Sequence, residues 1–504
     1  MRNIDKNGRM ASVFGDQTAL FIILAGLAVR SLAAALIPPG FDEAYYGIYP
    51  WHLAWGYFDH PPAVAITAGL GQWLTGSRSA ISLRLGAIFL FTLSSLLLYQ
   101  ICQQLHGRAA GRAALSLFHI IPYFSIGIGA FVFPDNALIF FWLLCIYCLL
   151  QFQKTQKDMY LLACGVSIGF ALLSKYHAVL LILAIGCLMI FYPEWRTLWK
   201  RPASYLAMFI ALVIFLPNLI WNARHDWISY TYQFGKGTSG LKFSVSDFTQ
   251  AILIQAVYLL PWILFLLWMG AIKAYKNRNR EINWLIPITV FPIFVFTLIG
   301  ATRPILPHWP MPGYIGAIIL SSGWIAGWNP VRKRWLGWGT AGILLLLIGF
   351  LAIQSLSGIV RMPLKSDLTL DGQGWPELID HIEKQQYFPD EDLFLFSHKW
   401  FTGGELAYAA GKEHTVTVFN RKAPNAFPFW VRERELIGRD GLFISSNRYA
   451  ADPQKLYGMF FSRIDSLDQL QTWRGRRPAK LFTIWHCQNY QGGFPFPYGE
   501  SEQK

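Results

Sequence analysis

The sequence is poor in charge, and it is especially poor in acidic residues. Charged side chains make up 14% of the 504 residues and hydrophobic ones 54%, with 29 Asp and Glu against 43 Lys and Arg. Soluble globular proteins carry about 25% charged residues, so this composition excludes an ordinary soluble protein. A net charge as large as +14 would also suit a protein that binds nucleic acid. The positions of the basic residues along the chain decide whether that interpretation holds.

Cysteine is also scarce, with six residues in the whole chain. Five of them fall in or near apolar stretches, and Cys487 alone lies in the more polar C-terminal part. A disulfide framework is therefore excluded for that part, because a single cysteine cannot form an intramolecular bridge. Cys145 and Cys148 form a CxxC pair, but they lie in an apolar stretch, which favours packing over a redox or metal site.

What the chain does contain is a series of long apolar blocks. Each has roughly 17–22 residues, the length that crosses a bilayer as a helix. The blocks lie at about residues 19–37, 81–103, 113–131, 134–152, 159–175, 177–192, 203–221, 249–270, 284–300, 309–327 and 336–354. No cleavage site of small residues follows the first block, so we expect no cleavable signal peptide. The predicted fold class is a polytopic α-helical membrane protein with about eleven transmembrane helices.

The basic residues predict an orientation for these spans. If the N-terminus is cytoplasmic, the cytoplasmic loops hold 17 Lys and Arg residues, and the outer loops before the C-terminal part hold six. Cytoplasmic loops of membrane proteins carry such an excess, so most of the positive charge reflects topology and we expect no nucleic-acid partner. With an odd number of spans, the C-terminal part lies outside.

The pattern changes after Arg361 to short segments of ordinary polarity. Helices are predicted at about residues 375–386 and 403–411, and strands at about residues 391–397, 413–419, 440–446 and 479–486. The predicted domains are a transmembrane domain over residues 1–358 and a soluble α/β domain over residues 359–504. No internal repeat or low-complexity tract is strong enough to support another division.

The most unusual segment is the loop after the first span, at residues 38–80. Within it, residues 41–62 read FDEAYYGIYPWHLAWGYFDHPP and bring Asp42, Glu43 and Asp59 together with histidines and aromatic residues. Charge beside a membrane must be hydrated, paired or functional. A chain with so few carboxylates therefore needs a reason to place three of them here.

Two parts of this loop are predicted to be helices that lie along the membrane interface. They are residues 43–55 and 61–74, which are amphipathic, and the interface is where aromatic side chains concentrate. Simple interfacial anchoring explains Trp51, Trp55 and Tyr57. It does not explain the three carboxylates.

His60 lies in this loop too, and other polar residues lie with it on the predicted outer face: Arg84, Asp135, Lys175, His177, Arg224, Arg303 and His308. Arginine and lysine bind phosphate groups, arginine with a bidentate fork and lysine as a point charge. A carboxylate within hydrogen-bond reach can remove a proton from an acceptor hydroxyl. A phosphate leaves readily, so one base and several cations suffice for a reaction between a lipid-borne phosphate and a polar acceptor.

Six short pieces of the chain carry a family resemblance: FDEAYY, GYFDHPP, SLRLGA, PDNALIFFW, LLSKYHAVLL and RPILPHWPMP. Together they resemble the bacterial membrane glycosyltransferases of the GT-C class, in the group of the protein O-mannosyltransferases and lipid A aminoarabinose transferases. The resemblance covers roughly residues 15–330, and more weakly the C-terminal part. The first two pieces are the most specific.

The resemblance implies an inverting enzyme with a GT-C fold in the bacterial inner membrane, with its C-terminal domain in the periplasm. Such an enzyme transfers a sugar from a polyprenyl-phosphate donor to a lipid, glycan or protein acceptor on the periplasmic side. The resemblance also implies that Asp42 is the catalytic base and that Glu43 supports it.

The residues expected to bind the donor and its phosphate are Asp59, His60, Arg84, Asp135, Lys175, Arg303 and His308. By the resemblance, Lys175 lies near the lipid phosphate, Asp135 matches an acidic residue of the second outer loop, and Asp59 with His60 occupies a second acidic or metal-contacting position. We expect no cofactor as a requirement. A divalent cation between carboxylates is chemically feasible, although no ligand spacing in the sequence demands it.

Each of these residues has a structural alternative that the sequence leaves open. The acidic residues could cap helices or sit in solvated turns, and the basic residues could extend from span ends to the interface. Two other functions compete as well, namely a transporter or lipid-carrier flippase with a periplasmic partner-binding domain, and an export-assembly protein anchored by its spans. A transporter predicts charges near mid-span and repeated, broken helices, whereas here the charges gather at one face.

Overall fold

The computed structural model describes residues 13–238, 243–277, 279–387, 393–422 and 424–497. The helices are α1 (Gln17–Leu36), α2 (Phe41–Ile48), α3 (Ala63–Thr75), α4 (Ala80–His106), α5 (Arg108–Ile120), α6 (Ile128–Ala130), α7 (Asp135–Thr155), α8 (Met159–Ser174), α9 (Val179–Phe191), α10 (Pro202–Arg224), α11 (Ile228–Thr238), α12 (Val245–Leu259), α13 (Pro261–Lys276), α14 (Arg280–Asn283), α15 (Leu285–Gly300), α16 (Met311–Ala326), α17 (Pro330–Ser357), α18 (Trp375–Lys384), α19 (Trp400–Ala410), α20 (Phe427–Trp430) and α21 (Pro453–Tyr457). The strands are β1 (Leu393–Ser397), β2 (Val416–Val418), β3 (Asp440–Ser446), β4 (Phe461–Arg474) and β5 (Arg477–Tyr490).

Several of these helices are long and apolar enough to cross a membrane. Six meet both criteria among the described residues, namely α1, α4, α7, α10, α17 and the segment Glu281–Gly300, which contains α15. Two bent pairs raise the number to eight if each pair is one span: α5 with Tyr123–Ala130, bent by 74°, and α12 with α13, bent by 99°. Three shorter apolar helices lie at Met159–Ser174, Tyr176–Phe191 and Met311–Ala326. A polytopic helical membrane protein is thus confirmed, and the number of eleven spans stays a prediction.

Proline explains both bends. The break between α12 and α13 lies at Leu260, whose φ is +70°, followed by Pro261. Proline has no N–H to continue the hydrogen bonding of a helix, and it disfavours helical geometry in the residue before it. Pro122 interrupts the helix in the same way, between α5 and the π-helical turn Tyr123–Gly127.

The chain divides into two compact units. The helical unit comprises the described residues of 1–32, 60–67 and 85–346, and the mixed unit those of 33–59, 68–84 and 347–504. In the helical unit α8 packs against α7 and α10, and α16 packs against α5, α13 and α15. The predicted domain boundary near residue 358 stays a prediction, because the mixed unit also contains two segments from the beginning of the chain.

The mixed unit is built on a sheet whose strand order is β2-β1-β3-β5-β4 in the described part of the chain. β1 pairs in parallel with β2 and β3, whereas β5 pairs antiparallel with β3 and β4. Strands form at all four predicted places, and the small C-terminal sheet domain is confirmed. β4 was not predicted, because this edge strand carries two register shifts and polar residues that obscure its alternation.

The loop after α1 differs from its predicted form. α2 ends at Ile48 instead of continuing to residue 55, and a 3₁₀ turn containing Pro50 follows it. The interfacial anchoring predicted for Tyr57 is wrong, because its side chain is 2% exposed and its ring stacks on Tyr49 at 4.0 Å. Trp55 is 58% exposed, as an interfacial residue would be.

Candidate active site

The first turn of α2 carries two adjacent carboxylates, Asp42 and Glu43. The helix begins after Gly40, whose extended backbone serves as the N-cap, and the Gly40 N–H donates to Glu43 Oε2 at 3.4 Å. Negative charge is favourable at this position, since the N-terminal end of a helix is partially positive. The sequence therefore places both carboxylates at one helix end, but their surroundings differ.

Glu43 is held by Arg84. The guanidinium donates from Nε to Oε1 at 2.8 Å and from Nη2 to Oε2 at 2.5 Å, which is a bidentate pair, and both side chains are buried. Arg84 Nη1 also donates to the carbonyl oxygens of Ala34 and Ile37 at 2.8 and 2.6 Å. These are carbonyls that the end of α1 leaves without helical partners. This placement favours a positioning role for Arg84, and its expected contact with the donor phosphate stays a prediction.

Asp42, unlike Glu43, is not paired with a cation among the described residues. Asp42 is half-buried, and its carboxyl group makes no hydrogen bond or ion pair with the residues that the structure describes. Burial raises its pKa to about 7, with further contributions from the negative charges of Asp59, Asp371 and Glu43. A carboxylate with this pKa accepts a proton far more readily than an ordinary aspartate and is still largely ionised just above neutral pH.

Asp59 lies beside a buried tyrosine. The Tyr49 hydroxyl donates to Asp59 Oδ1 at 2.5 Å, and the Tyr57 hydroxyl donates to the Tyr49 carbonyl at 3.2 Å. The pKa of Tyr49 is raised well above its usual range by burial and by the Asp59 charge, so this hydroxyl keeps its proton and stays a donor. The tyrosine therefore fixes Asp59 as a second negative charge near Asp42.

A group of charged residues from the C-terminal part was not predicted from the sequence. Asp371 accepts a hydrogen bond from Arg448, and its backbone carbonyl accepts one from Lys480 Nζ at 2.6 Å. All three side chains are buried, and the Asp371 charge acts on Asp42. No motif marks these residues. A lysine at a buried position of an alternating strand, such as Lys480 in β5, is the one signal that could have pointed to them.

A second cluster lies in the helical unit around Asp135 and Lys175. Lys175 Nζ donates to Asp135 Oδ2 at 2.7 Å, and both side chains are buried. The turn before α7 is fixed by Asn136, which accepts from the Phe133 N–H at 2.6 Å and donates to the carbonyl of Ile128 at 2.7 Å. Lys175 stands at the C-terminal end of α8 in an extended conformation.

Histidines surround this ion pair. The charges of Lys175, Asp135 and His60 all act on His308, and burial together with the Lys175 cation lowers the pKa of His308 to about 3. His308 is therefore neutral at physiological pH and can donate or accept one hydrogen bond at each ring nitrogen. The structure thus brings together His60, Asp135, Lys175 and His308, four of the site residues predicted from the sequence.

Arg303 lies in the loop between α15 and α16. Its Nε and Nη1 atoms are buried and have no hydrogen-bond partner within the described ranges. Unpaired buried guanidinium nitrogens are costly, and burial lowers the pKa of Arg303. A phosphate or another anionic ligand would satisfy these donors.

The described residues contain no group of three or more His, Cys, Asp and Glu side chains that could hold a metal ion. The divalent cation considered from the sequence stays a prediction. The carboxylates that the structure gathers around Asp42 include Glu43, whose oxygens are already engaged by Arg84.

Comparison with known proteins adds a family model and a fold. The model described as dolichyl-phosphate-mannose-protein mannosyltransferase matches residues 59–221. The solved structure of ArnT from Cupriavidus metallidurans superimposes with a TM-score of 0.64 at 14% identity, over 92% of this chain and 97% of that one. The same protein bound to undecaprenyl phosphate gives a TM-score of 0.62 at 14% identity, over 94% and 98% of the two chains. The resemblance to the GT-C membrane glycosyltransferases is confirmed.

Curated relatives match this chain over a shorter range. The lipid A galacturonosyltransferase RgtD of Rhizobium johnstonii is 24% identical over 292 residues, covering 56% of this chain and 59% of the relative. The undecaprenyl phosphate-α-4-amino-4-deoxy-L-arabinose arabinosyl transferase of Erwinia tasmaniensis is 25% identical over 280 residues, covering 52% and 49%. The chain thus spans about half the length of the curated relatives it matches.

Proposed function

We propose that this protein is an inner-membrane glycosyltransferase that moves a sugar from a polyprenyl-phosphate donor to a lipid acceptor on the periplasmic side. The observation that carries the proposal is the contrast between two adjacent carboxylates, of which Glu43 is neutralised by Arg84 and Asp42 is left without a partner among the described residues. A carboxylate with a raised pKa and without a partner is suited to take a proton from a hydroxyl.

The proposed reaction is a direct displacement. Asp42 accepts the proton of the acceptor hydroxyl as its oxygen attacks the anomeric carbon, and the bond from that carbon to the phosphate oxygen breaks. The phosphate oxygen keeps the bonding electron pair, and the phosphate leaves still attached to the polyprenyl carrier. One displacement inverts the anomeric configuration. Glu43 holds the first turn of α2 through Arg84, and this positions Asp42.

The phosphate needs cations and hydrogen-bond donors. In the helical unit, Lys175 and Arg303 supply positive charge, and His60 and His308 can supply ring N–H donors. Arg303 has the clearest capacity for a ligand, since two of its buried nitrogens lack partners among the described residues. We propose these four residues as the contacts of the donor phosphate.

A lipid acceptor is the variant of this function that the relatives favour. The names of the two relatives described above both refer to lipids. The first is a lipid A galacturonosyltransferase, and the second is an arabinosyl transferase whose name includes an undecaprenyl-phosphate aminoarabinose. No corresponding observation favours the transporter or flippase alternative. The cytoplasmic N-terminus and the periplasmic mixed unit are part of the proposal and rest on the distribution of Lys and Arg.

Mass spectrometry of envelope glycolipids and glycoproteins, with and without the gene, tests the function. We expect one glycolipid species to lose a single sugar mass in the deletion strain and to regain it on complementation with the wild-type gene. Complementation with the Asp42→Asn variant serves as the control and should leave the sugar missing. An unchanged lipid profile together with a missing glycoprotein sugar would show that the acceptor is a protein. No change in either the lipids or the glycoproteins would contradict the proposed function.

The pH dependence of transfer follows from the raised pKa of Asp42. A base must be ionised, so kcat/KM should fall about tenfold per pH unit below the pKa of about 7 and level off above it. Asp59→Asn removes the first of the charges that raise this pKa, so the acidic limb of the profile should move to lower pH. The measurement is kcat/KM between about pH 5 and 9 for both proteins. A limb at the same pH in both would exclude electrostatic coupling between Asp59 and the base.

A further inference from the structure

A groove of about 190 Å³ lies in the helical unit, at the end where α1, α5 and α17 begin. Residues from all three helices line it, among them Thr18, Ile22, Arg112, Leu117, Lys333 and Leu336. α5 starts at this groove, and the chain continues through α6 before it reaches Asp135. The groove therefore runs along α5, whereas Asp135 comes after the last residue of the bent span that α5 and α6 form.

The lining changes from polar to apolar along each helix. Thr18 precedes Ile22 by four residues on α1, Arg112 precedes Ile120 by eight on α5, and Lys333 precedes Leu336 by three on α17. Residues three or four apart share one face of a helix. The groove is therefore cationic at the helix starts and apolar one or two turns further along, which is the polarity profile of a phospholipid from headgroup to acyl chain.

The two cations are held in place and keep donors for a ligand. Arg112 Nε donates to both carboxylate oxygens of Asp16 at 2.9 Å, and its Nη1 and Nη2 atoms make no hydrogen bond to the residues described. Lys333 Nζ donates to the Ala326 carbonyl at 3.1 Å, which uses one of the three donors of an ammonium group. Asp16 neutralises one of the two positive charges, so the end of the groove keeps a net positive charge.

Two tryptophans mark the depth of this cationic end in a membrane. Trp335 and Trp338 are 77% and 71% exposed on the outward face of α17. Exposed tryptophans of membrane proteins concentrate at the level of the lipid headgroups. Lys333 precedes Trp335 by two residues, which is about 3 Å of helix, so the ammonium group lies at the depth of lipid phosphates.

We propose that this groove binds one anionic phospholipid of the leaflet at this end of the protein. Arg112 and Lys333 contact its phosphate, and one acyl chain lies along the apolar residues Ile22, Leu117 and Leu336. The lipid would stabilise the packing of α1, α5 and α17, and it is distinct from the sugar donor of the proposed reaction.

A pair of glycines in α17 provides a matched test. Gly337 lines the groove, whereas Gly339 does not, and a Cβ added at either would meet no atom within 4 Å. Gly337→Leu should therefore fill the groove without a clash, and Gly339→Leu should change the helix equally outside it. The probe is phosphatidylglycerol added to the delipidated full-length protein in detergent, with retained lipid counted by native mass spectrometry and the melting temperature recorded.

We expect the wild type and Gly339→Leu to retain one phosphatidylglycerol and to melt at a higher temperature with this lipid, because a ligand that binds the folded state stabilises it. Gly337→Leu should do neither. Lys333→Gln should weaken binding about tenfold, the loss of one charge-assisted hydrogen bond, and the exposed neighbour variant Arg334→Gln should bind normally. Equal retention by the two glycine variants, equal binding of phosphatidylcholine, or displacement by inorganic phosphate would each overturn the proposal.

Discussion

Replacing Asp42 by Asn is expected to lower the rate of sugar transfer by about 10²–10⁴-fold, the usual contribution of a general base. The amide has nearly the same shape as the carboxyl group but cannot accept the proton of the acceptor hydroxyl. Transfer should be measured with purified protein at about pH 8, where the wild-type base is ionised because its pKa is about 7. Binding of undecaprenyl phosphate should stay within about twofold, since Asp42 is proposed to act on the acceptor.

The stability of Asp42→Asn separates this role from a structural one. Asp42 makes no ion pair or hydrogen bond with the residues described, and the charges of Asp59, Asp371 and Glu43 disfavour its ionised form. Above pH 7 the substitution removes this repulsion, so the melting temperature should stay equal or rise. A lower melting temperature together with near-normal turnover would contradict the assignment of Asp42 as the base.

Glu43→Gln is the matched control for that experiment. It stands next to Asp42 and carries the same kind of change, but it breaks the bidentate pair with Arg84. Removing one partner of a buried ion pair costs about 3–5 kcal/mol, so this variant should unfold at a clearly lower temperature. Any activity it loses should follow the loss of folded protein or of Asp42 geometry. The acidic limb of its pH profile should remain but move to lower pH, because the Glu43 charge is one of those that raise the pKa of Asp42.

Replacing Lys175 by Met is expected to destabilise the protein by about 3–5 kcal/mol, because it leaves the buried Asp135 carboxylate without its cation. The same substitution should weaken binding of undecaprenyl phosphate if Lys175 contacts the phosphate. The single variant cannot distinguish a lost contact from a damaged fold. The double variant Asp135→Asn with Lys175→Met can, since it removes both charges together.

We expect the double variant to recover most of the lost stability, as neutral replacements of a buried pair often do, but not the affinity for undecaprenyl phosphate. Thermal unfolding and lipid binding should be measured on the wild type, both single variants and the double variant. Lys157→Met, on the exposed turn between α7 and α8, controls for the loss of a positive charge and should change neither quantity. Full recovery of affinity in the double variant would show that the pair is structural and would exclude Lys175 as a phosphate contact.

The sequence alone determined the class of protein and the region of its chemistry. Apolar blocks long enough to cross a bilayer form helices there, because a helix satisfies its own backbone hydrogen bonds inside the membrane. The composition and order of the residues are enough to identify such blocks. The adjacent carboxylates at residues 42 and 43, and the acid–base residues Asp135, Lys175 and His308, were identified for the same reason: charge in so apolar a chain is rare and needs a purpose.

Only the tertiary structure decided which of these residues is engaged and which is available. Glu43 and Asp42 are neighbours in sequence and equivalent in chemistry, yet the partner of Glu43 lies 41 residues away, and one of the charges that raise the pKa of Asp42 comes from Asp371 in the C-terminal part. Burial and the distances between charges set pKa values and ion pairing, and both depend on segments that folding brings together. No pattern within residues 38–80 contains that information.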